Sequence, residues 1–347
     1  MGLGVTGSSR APATLLLAHG SGGRLTQELV RDAFLPVLGN PWLATLTDAA
    51  VLPELPPGRP ALTTDAFVVD PALFPGGDLG YLSVVGTVND LAMVGARPLW
   101  LTWALVLEEG APGDLISTCA AGAARAAAES GIAIVAGDTK VVPRGKGDGI
   151  YAVTAGLGVV PPGRDVGDHR IAPGDAVLVS GPIGDHGATI MACRHALGSA
   201  GLRSDCAPEA ALVEALFASG AEVHSLHDPT RGGLLAVCHE TAERSGLRIH
   251  LDEIAIPVRP EVRAVCEVLG LEVLSLACEG RVVAWVAGGD AGTALAAMRA
   301  HPGGEGAAVI GRVAERQAGE VALVLDTAAG GRRPLDLMSG TDLPRIC

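Results

Sequence analysis

The sequence predicts a two-domain protein of mixed α/β (α+β) class. Three observations carry that expectation. The 347 residues exceed what one hydrophobic core usually organises. Apolar runs of strand length alternate with stretches of helical period through both halves. The stretch Pro161-Pro162-Gly163-Arg164-Asp165 interrupts the pattern near the middle, as a linker does. The expected layout is a disordered leader over 1–13, an N-terminal domain over 14–160, a C-terminal domain over 165–327, and a mobile tail over 328–347 that ends on Cys347.

The leader carries Gly2, Gly4, Gly7, Ser8, Ser9 and Pro12 and too little apolar material to order itself. Leu15-Leu16-Leu17 then opens into the glycine-rich turn Ala18-His19-Gly20-Ser21-Gly22-Gly23. Apolar residues at 25, 29, 30, 34, 35, 37 and 38 recur at helical spacing and predict a helix over 25–38. A Pro-rich loop follows over 41–60, then a strand over 61–69, a turn over 71–77, a helix over 79–94 and a strand over 99–107. The Ala-rich stretch 112–130 starts at Pro and stops before Gly131, which are helix start and stop signals. Strands are expected over 132–136 and 149–160. Beyond the linker the spacing predicts strands over 176–180, 247–251, 281–287, 307–311 and 321–325. Helices are expected there over 187–196, 208–219, 234–245, 260–269 and 291–300.

Composition excludes several classes. Hydrophobic residues make up 48% and aromatics only 3%, so the cores must be built from Ala, Val, Leu and Ile. The longest apolar run, 98–107, is too short to span a bilayer. The net charge is −13 and there is no Lys/Arg run, which argues against a nucleic-acid binder. Seven cysteines (119, 193, 206, 238, 266, 278 and 347) form no C-x-x-C pair. That odd, scattered set suggests reduced thiols in a cytoplasmic protein. No basic-then-apolar signal pattern opens the chain.

The chemistry-bearing residues are aspartates beside glycine or small polar neighbours: Asp65, Asp78, Asp90, Asp138 and Asp228. Singly, such residues are usually caps and turn formers. Asp90 is different, because it lies inside an apolar helix, where a carboxylate is costly unless paired or metal-bound. Separated carboxylates that converge would suit Mg²⁺ shared with phosphate oxygens. Gly137-Asp138-Thr139-Lys140 follows an apolar run and reads as a glycine turn after a strand, with Lys140 a point charge for phosphate. Gly22 and Gly23 offer backbone N–H groups to an anion. Thr230 and Arg231 precede a helix start, which also suits an anion. No P-loop and no dinucleotide-binding fingerprint is present.

Taken in order, these stretches resemble one family over nearly the whole chain. The matching pieces are 18–23, Thr64-Asp65, Phe74-Pro75-Gly76-Gly77-Asp78, Gly86-Thr87-Val88-Asn89-Asp90, 107–110 and 137–142. They continue with Gly184-Asp185-His186-Gly187, Asp228-Pro229-Thr230-Arg231-Gly232-Gly233 and Pro344-Arg345-Ile346-Cys347. The sequence resembles the HypE family of hydrogenase maturation proteins, within the superfamily of aminoimidazole ribonucleotide synthetase and selenophosphate synthetase. The resemblance implies a PurM-like fold: an N-terminal mixed-sheet domain that binds ATP and dimerises through its strands, and a C-terminal α/β domain. It implies an ATP-dependent carbamoyl dehydratase. A HypF carbamoyltransferase would load Cys347, ATP would activate the carboxamide oxygen, and loss of phosphate would leave a thiocyanate. The cyano group would pass to a HypC–HypD complex. Asp65, Asp78, Asp90 and Asp228 would hold Mg²⁺ and phosphate; Asn89, Gly137, Asp138, Thr139 and Lys140 would line the nucleotide. Lys140, Glu279 and the phosphate are candidates to take the amide proton. Cys278 stands where the family usually carries Asn before the acid. Two other readings remain open: a superfamily kinase or ligase acting on a free small molecule, and a non-enzymatic assembly scaffold.

Overall fold

A computed structural model of the chain describes residues 11–198, 201–337 and 345–347. The first helical stretch is α1 (Arg24–Leu29) and α2 (Leu35–Leu38), joined by a π-helical turn at Val30–Phe34. The regular helix expected over 25–38 therefore widens by one turn. Pro36 has no N–H to donate and its ring would crowd a carbonyl four residues back, and a π turn relieves both.

Then come β1 (Arg59–Phe67), β2 (Leu73–Phe74), β3 (Gly77–Asp78) and α3 (Leu79–Met93). They are followed by β4 (Arg97–Glu108), α4 (Gly113–Ser130), β5 (Ala133–Val142) and β6 (Ile150–Val160). The sheet order is β1-β6-β4-β5. The β4–β5 pair is parallel with α4 as its crossover, and the other two pairs are antiparallel. α3 and α4 cover one face. Every residue of α3 except Asp90 is buried. Gly122 of α4 explains how closely the helices lie: a Cβ there would fall 2.0 Å from Asp78 Oδ1.

The second half contributes β7 (Ala176–Val179), α5 (Asp185–Arg194), α6 (Ala210–Ala218), β8 (Val223–His227), α7 (Gly233–Ser245) and β9 (Arg248–Asp252). It closes with α8 (Pro260–Leu269), β10 (Val283–Val286), α9 (Ala291–Ala300), β11 (Ala308–Ala314), β12 (Leu323–Asp326) and β13 (Arg332–Leu335). These strands form one seven-stranded sheet, β13-β12-β9-β11-β7-β10-β8. Val177 and Val179 of β7 enter one core while Ala176 and Leu178 enter another, so the centre of the sheet is buried on both faces.

Three local expectations change. The turn expected at Gly137–Lys140 is strand, because β5 continues through it on β4. β8 was not legible: its His224, Ser225 and His227 break the apolar pattern. They are carried in the sheet by Asp175 and Asp168, at 2.7 Å from His224 Nδ1 and 2.8 Å from His227 Nε2. β13 lies inside the stretch read as mobile tail. It holds two arginines and Pro334, and it is an edge strand, the place where proline and charge are tolerated in a sheet. Of the expected leader, residues 1–10 lie outside the described residues, whereas Ala13 accepts a hydrogen bond from the Gly113 N–H at 3.2 Å. Among the described residues no helix is long and apolar enough to cross a membrane.

Candidate active site

Five segments from both halves meet around a small cavity of about 30 Å³. Its lining includes Asp65, Asp90, Asp228, Arg231, Glu279 and Cys347. The pleat of β1 turns Asp65 to the helix-covered face, on the row Asp65–Thr154–Trp103–Gly137 that crosses the sheet. Its Oδ1 accepts from the Ala66 N–H at 2.8 Å. Asp90 projects from α3, where Thr63 Oγ1 donates to its Oδ2 at 2.8 Å. Asp228 follows β8, and the turn after it is closed by the Thr230 N–H on the Asp228 carbonyl at 3.0 Å. Thr230 lines the same cavity.

Burial raises all three aspartate pKa values, and their mutual repulsion adds to the rise at Asp90 and Asp228; Asp228 is pushed up to about 7. Such a set of crowded hard-oxygen donors is what a divalent cation relieves. Among the described residues no three His, Cys, Asp or Glu side chains are close enough to hold a metal alone. An ion held among these three carboxylates would have to draw further oxygens from phosphate and water.

Glu279 is 2% exposed, and the Cys347 thiol sits beside it in the cavity wall. Burial and the charges of Asp228 and Asp205 push the Glu279 carboxyl well up. Burial and Glu279 push the thiol up as well, so the sulfur rests as S–H. The Glu279 backbone N–H donates to Asp205 Oδ1 at 3.0 Å, and its Oε1 has no partner. Cys278, in place of the expected Asn, is fully buried and its Sγ accepts from the Gly184 N–H at 3.1 Å, at the start of α5. That contact ties the residue before Glu279 to the start of α5.

The other sequence candidates go elsewhere. Asn89 is buried between the halves: its Oδ1 accepts from the Glu209 N–H at 2.8 Å and its Nδ2 donates to the Ala207 carbonyl at 3.1 Å. It joins the domains and does not line the cavity. Asp78, expected with the other aspartates, caps α3 by accepting from the Tyr81 N–H at 2.9 Å and faces Arg125 at 3.5 Å. The hydrogen bond that starts α3 keeps it from converging. Gly137, Asp138 and Thr139 line a separate cavity of about 280 Å³ with apolar walls that include Phe34, Trp42 and Leu105. Gly22 and Gly23 precede α1 nearby, since Gly20 lies so close to β5 that a Cβ would come within 2.3 Å of the Val141 nitrogen. Lys140 pairs with Asp138 at 3.7 Å and is exposed. Register explains the separation. Asp138 stands opposite Ala104 on the uncovered face of the sheet, at the β5 edge, while Asp65 lies on the covered face at the β1 edge. Lys140 therefore does not stand beside Cys347 within one chain.

Sequence reasoning missed Asp205, which holds the Glu279 backbone, and Arg281, buried 3.7 Å from both Asp205 and Asp185. Neither sits in a motif; the only signal was a charge within an apolar run at Arg281.

The two halves define a class. Residues 46–160 match the family description "AIR synthase related protein, N-terminal domain", and residues 172–324 match "AIR synthase related protein, C-terminal domain". Within that class the chain is 47% identical over 335 residues to "Carbamoyl dehydratase HypE" of Rhodobacter capsulatus, covering 95% of this chain and 97% of that one. A crystal structure of "Hydrogenase Maturation Protein HypE in complex with ATP" superposes with a TM-score of 0.92 at 45% identity, covering 96% of this chain and all (100%) of that one. A "HypE-HypF complex" structure superposes at 0.77 and 41% identity, covering 91% of this chain and 100% of that one. The chain belongs to the HypE family of carbamoyl dehydratases.

Proposed function

We propose that the chain dehydrates a carbamoyl group carried on the Cys347 sulfur, turning S-carboxamide into S-cyanate at the expense of ATP, for the cyanide ligands of a nickel–iron hydrogenase. The observation that carries this reading is the Cys347 thiol, seated against the buried Glu279 in an acid-lined cavity. A thiol held as S–H among carboxylates is a poor nucleophile, so the position suits a sulfur that arrives already loaded.

The carboxamide oxygen attacks the γ-phosphorus of ATP and ADP leaves. The C–O bond then breaks with the electron pair going to phosphate, while the nitrogen gives up its protons and the C≡N bond forms. Glu279 lies beside the sulfur, and its raised pKa makes it a strong base once ionised; it takes one proton from nitrogen and the departing phosphate takes the other. Thr230 and Arg231 orient the phosphate. Asp65, Asp90 and Asp228 would hold Mg²⁺, which supplies charge neutralisation for the transferred phosphoryl group. The apolar cavity beside Gly137–Thr139 takes the nucleotide base.

The uncovered face of the N-terminal sheet supports a homodimer: Leu62 is 77% exposed and Val153 38% exposed there. A two-fold axis parallel to the strands would lay β5 of one copy over β1 of the other and bring Lys140 toward the partner's acid cavity. A HypF-type carbamoyltransferase supplies the carbamoyl group, and a HypC–HypD-type complex receives the cyano group, in the cytoplasm. Intact mass of the chain after incubation with the carbamoyltransferase, carbamoyl phosphate and MgATP tests the reading. A carbamoyl adduct at Cys347 that becomes a cyano adduct only with ATP is expected. A stable carbamoyl adduct, or ATP-dependent modification surviving Cys347→Ala, would sink it.

A further inference from the structure

We propose that His186 and Ser204 form a latch that holds Cys347 in its cleft by gripping the backbone one residue before it. His186 sits in the first turn of α5 and is fully buried. Its Nε2 lies 2.7 Å from the Ile346 carbonyl and its Nδ1 2.8 Å from Ser204 Oγ. A carbonyl only accepts, so Nε2 carries the proton and donates. Nδ1 must then accept, and the Ser204 hydroxyl donates to it. That hydroxyl in turn accepts from the Cys206 N–H at 3.1 Å. Every polar atom of this chain of contacts is matched only in the neutral Nε2–H imidazole, and burial holds the ring neutral. Phe74 packs edge-on against the ring, with centroids 5.4 Å apart, and fixes its plane.

The neighbouring contacts aim at the same three residues. The Ile346 side chain is 4% exposed and joins the main core cluster. The Arg345 carbonyl accepts from Arg194 and from the Asp70 N–H, and its guanidinium lies 3.2 Å from Asp70 and 2.9 Å from Asp148. Ser204 and Asp205 are adjacent, so one dipeptide supports both ends of the seat: Ser204 through His186 to the Ile346 carbonyl, and Asp205 through the Glu279 backbone to the Cys347 sulfur. His186 is therefore a positioning residue. It touches neither sulfur nor nucleotide and acts by setting how long the loaded sulfur stays beside Glu279.

The conversion arm of the test rests on the dehydratase reading; the accessibility arm does not. Alkylation of Cys347 by iodoacetamide, followed on its own peptide by mass spectrometry, reports departure from the cleft. His186→Leu should speed it about tenfold, the factor one buried hydrogen bond supplies, and Ser204→Ala by a smaller factor. His186→Gln keeps a donor and should stay within about twofold of the parent. Single-turnover conversion of carbamoylated chain to cyanated chain should fall with His186→Leu, while carbamoyl loading should not. Circular dichroism checks that each variant folds, and Ser204→Ala decides the matter should His186→Leu unfold. Unchanged alkylation in folded His186→Leu, or in Ser204→Ala where only that variant folds, overturns the latch, as does equal acceleration by Leu and Gln. Loss of conversion in the parent, with the alkylation pattern intact, would instead count against the dehydratase reading alone.

Discussion

Two cavities among the described residues are opposites. One holds about 30 Å³ and is lined with carboxylates, an arginine and a thiol drawn from both domains. The other holds about 280 Å³, lies within the N-terminal half, and is walled by Trp, Phe and Leu with Asp48 and Asp138 in its lining. A tight acidic cavity can hold charge in place but has no room for a nucleotide body; a roomy apolar one can hold a flat ring but supplies little electrostatics. The difference argues that binding and bond-making are assigned to separate regions, and that substitutions in each should fail in different ways.

The largest expected effect is in the small cavity. Glu279→Gln removes the proposed proton acceptor while keeping its shape, and should lower conversion of the carbamoylated sulfur about 10²-fold or more. Rapid-quench mass spectrometry reads this, and nucleotide affinity should hardly move. If affinity fell instead of rate, the division between the cavities would collapse. Trp42→Ala in the large cavity should do the reverse: a rise of about tenfold in the KM for ATP with kcat nearly unchanged, since it removes binding common to ground and transition states. A fall in kcat alone would break the comparison from the other side.

The smallest effect concerns stability between the two. Glu209 is buried at the domain junction and its carboxyl is raised to about 8. A carboxyl whose folded pKa is raised favours folding fully below its ordinary value of 4.5, and that contribution is lost as pH climbs through about 8. Chemical denaturation should therefore show stability falling between about pH 5 and pH 8. Glu209→Gln should flatten that slope without altering either cavity. An unchanged slope would show that other buried acids, such as Asp185 at about 6, carry it.

These contrasts also mark what was legible in the sequence. Asp90 stood out because a carboxylate inside an apolar helix violates a local rule, and local rules are visible in one dimension. Asp65 and Asp228 were legible as motif members, and they do converge. Asp78 is a motif member too, in Gly77-Asp78, yet its carboxylate is spent on the N-terminus of α3. The face taken by Asp138 and Lys140 was hidden for a different reason. It depends on the register of β5 against β4, set by residues thirty or more positions away in sequence. Asp205 and Ser204 were hidden, and His186 was visible only as a motif member, because their roles exist only once residues 345–347 pack against them. The strands rich in apolar residues were readable from pattern; β8 and β13 were not, since polar partners and an edge position replaced the apolar signal.

β13 also changes what kind of device the end of the chain is. It pins the backbone at Leu335, leaving the twelve residues 336–347 beyond it. Fully extended, such a segment spans at most about 40 Å. A tether of that length keeps its thiol at an effective concentration on the order of millimolar over any point within reach. The cleft therefore has no need to bind the Arg345–Cys347 segment tightly. A grip with a dissociation constant near the millimolar range would leave the sulfur seated about half the time.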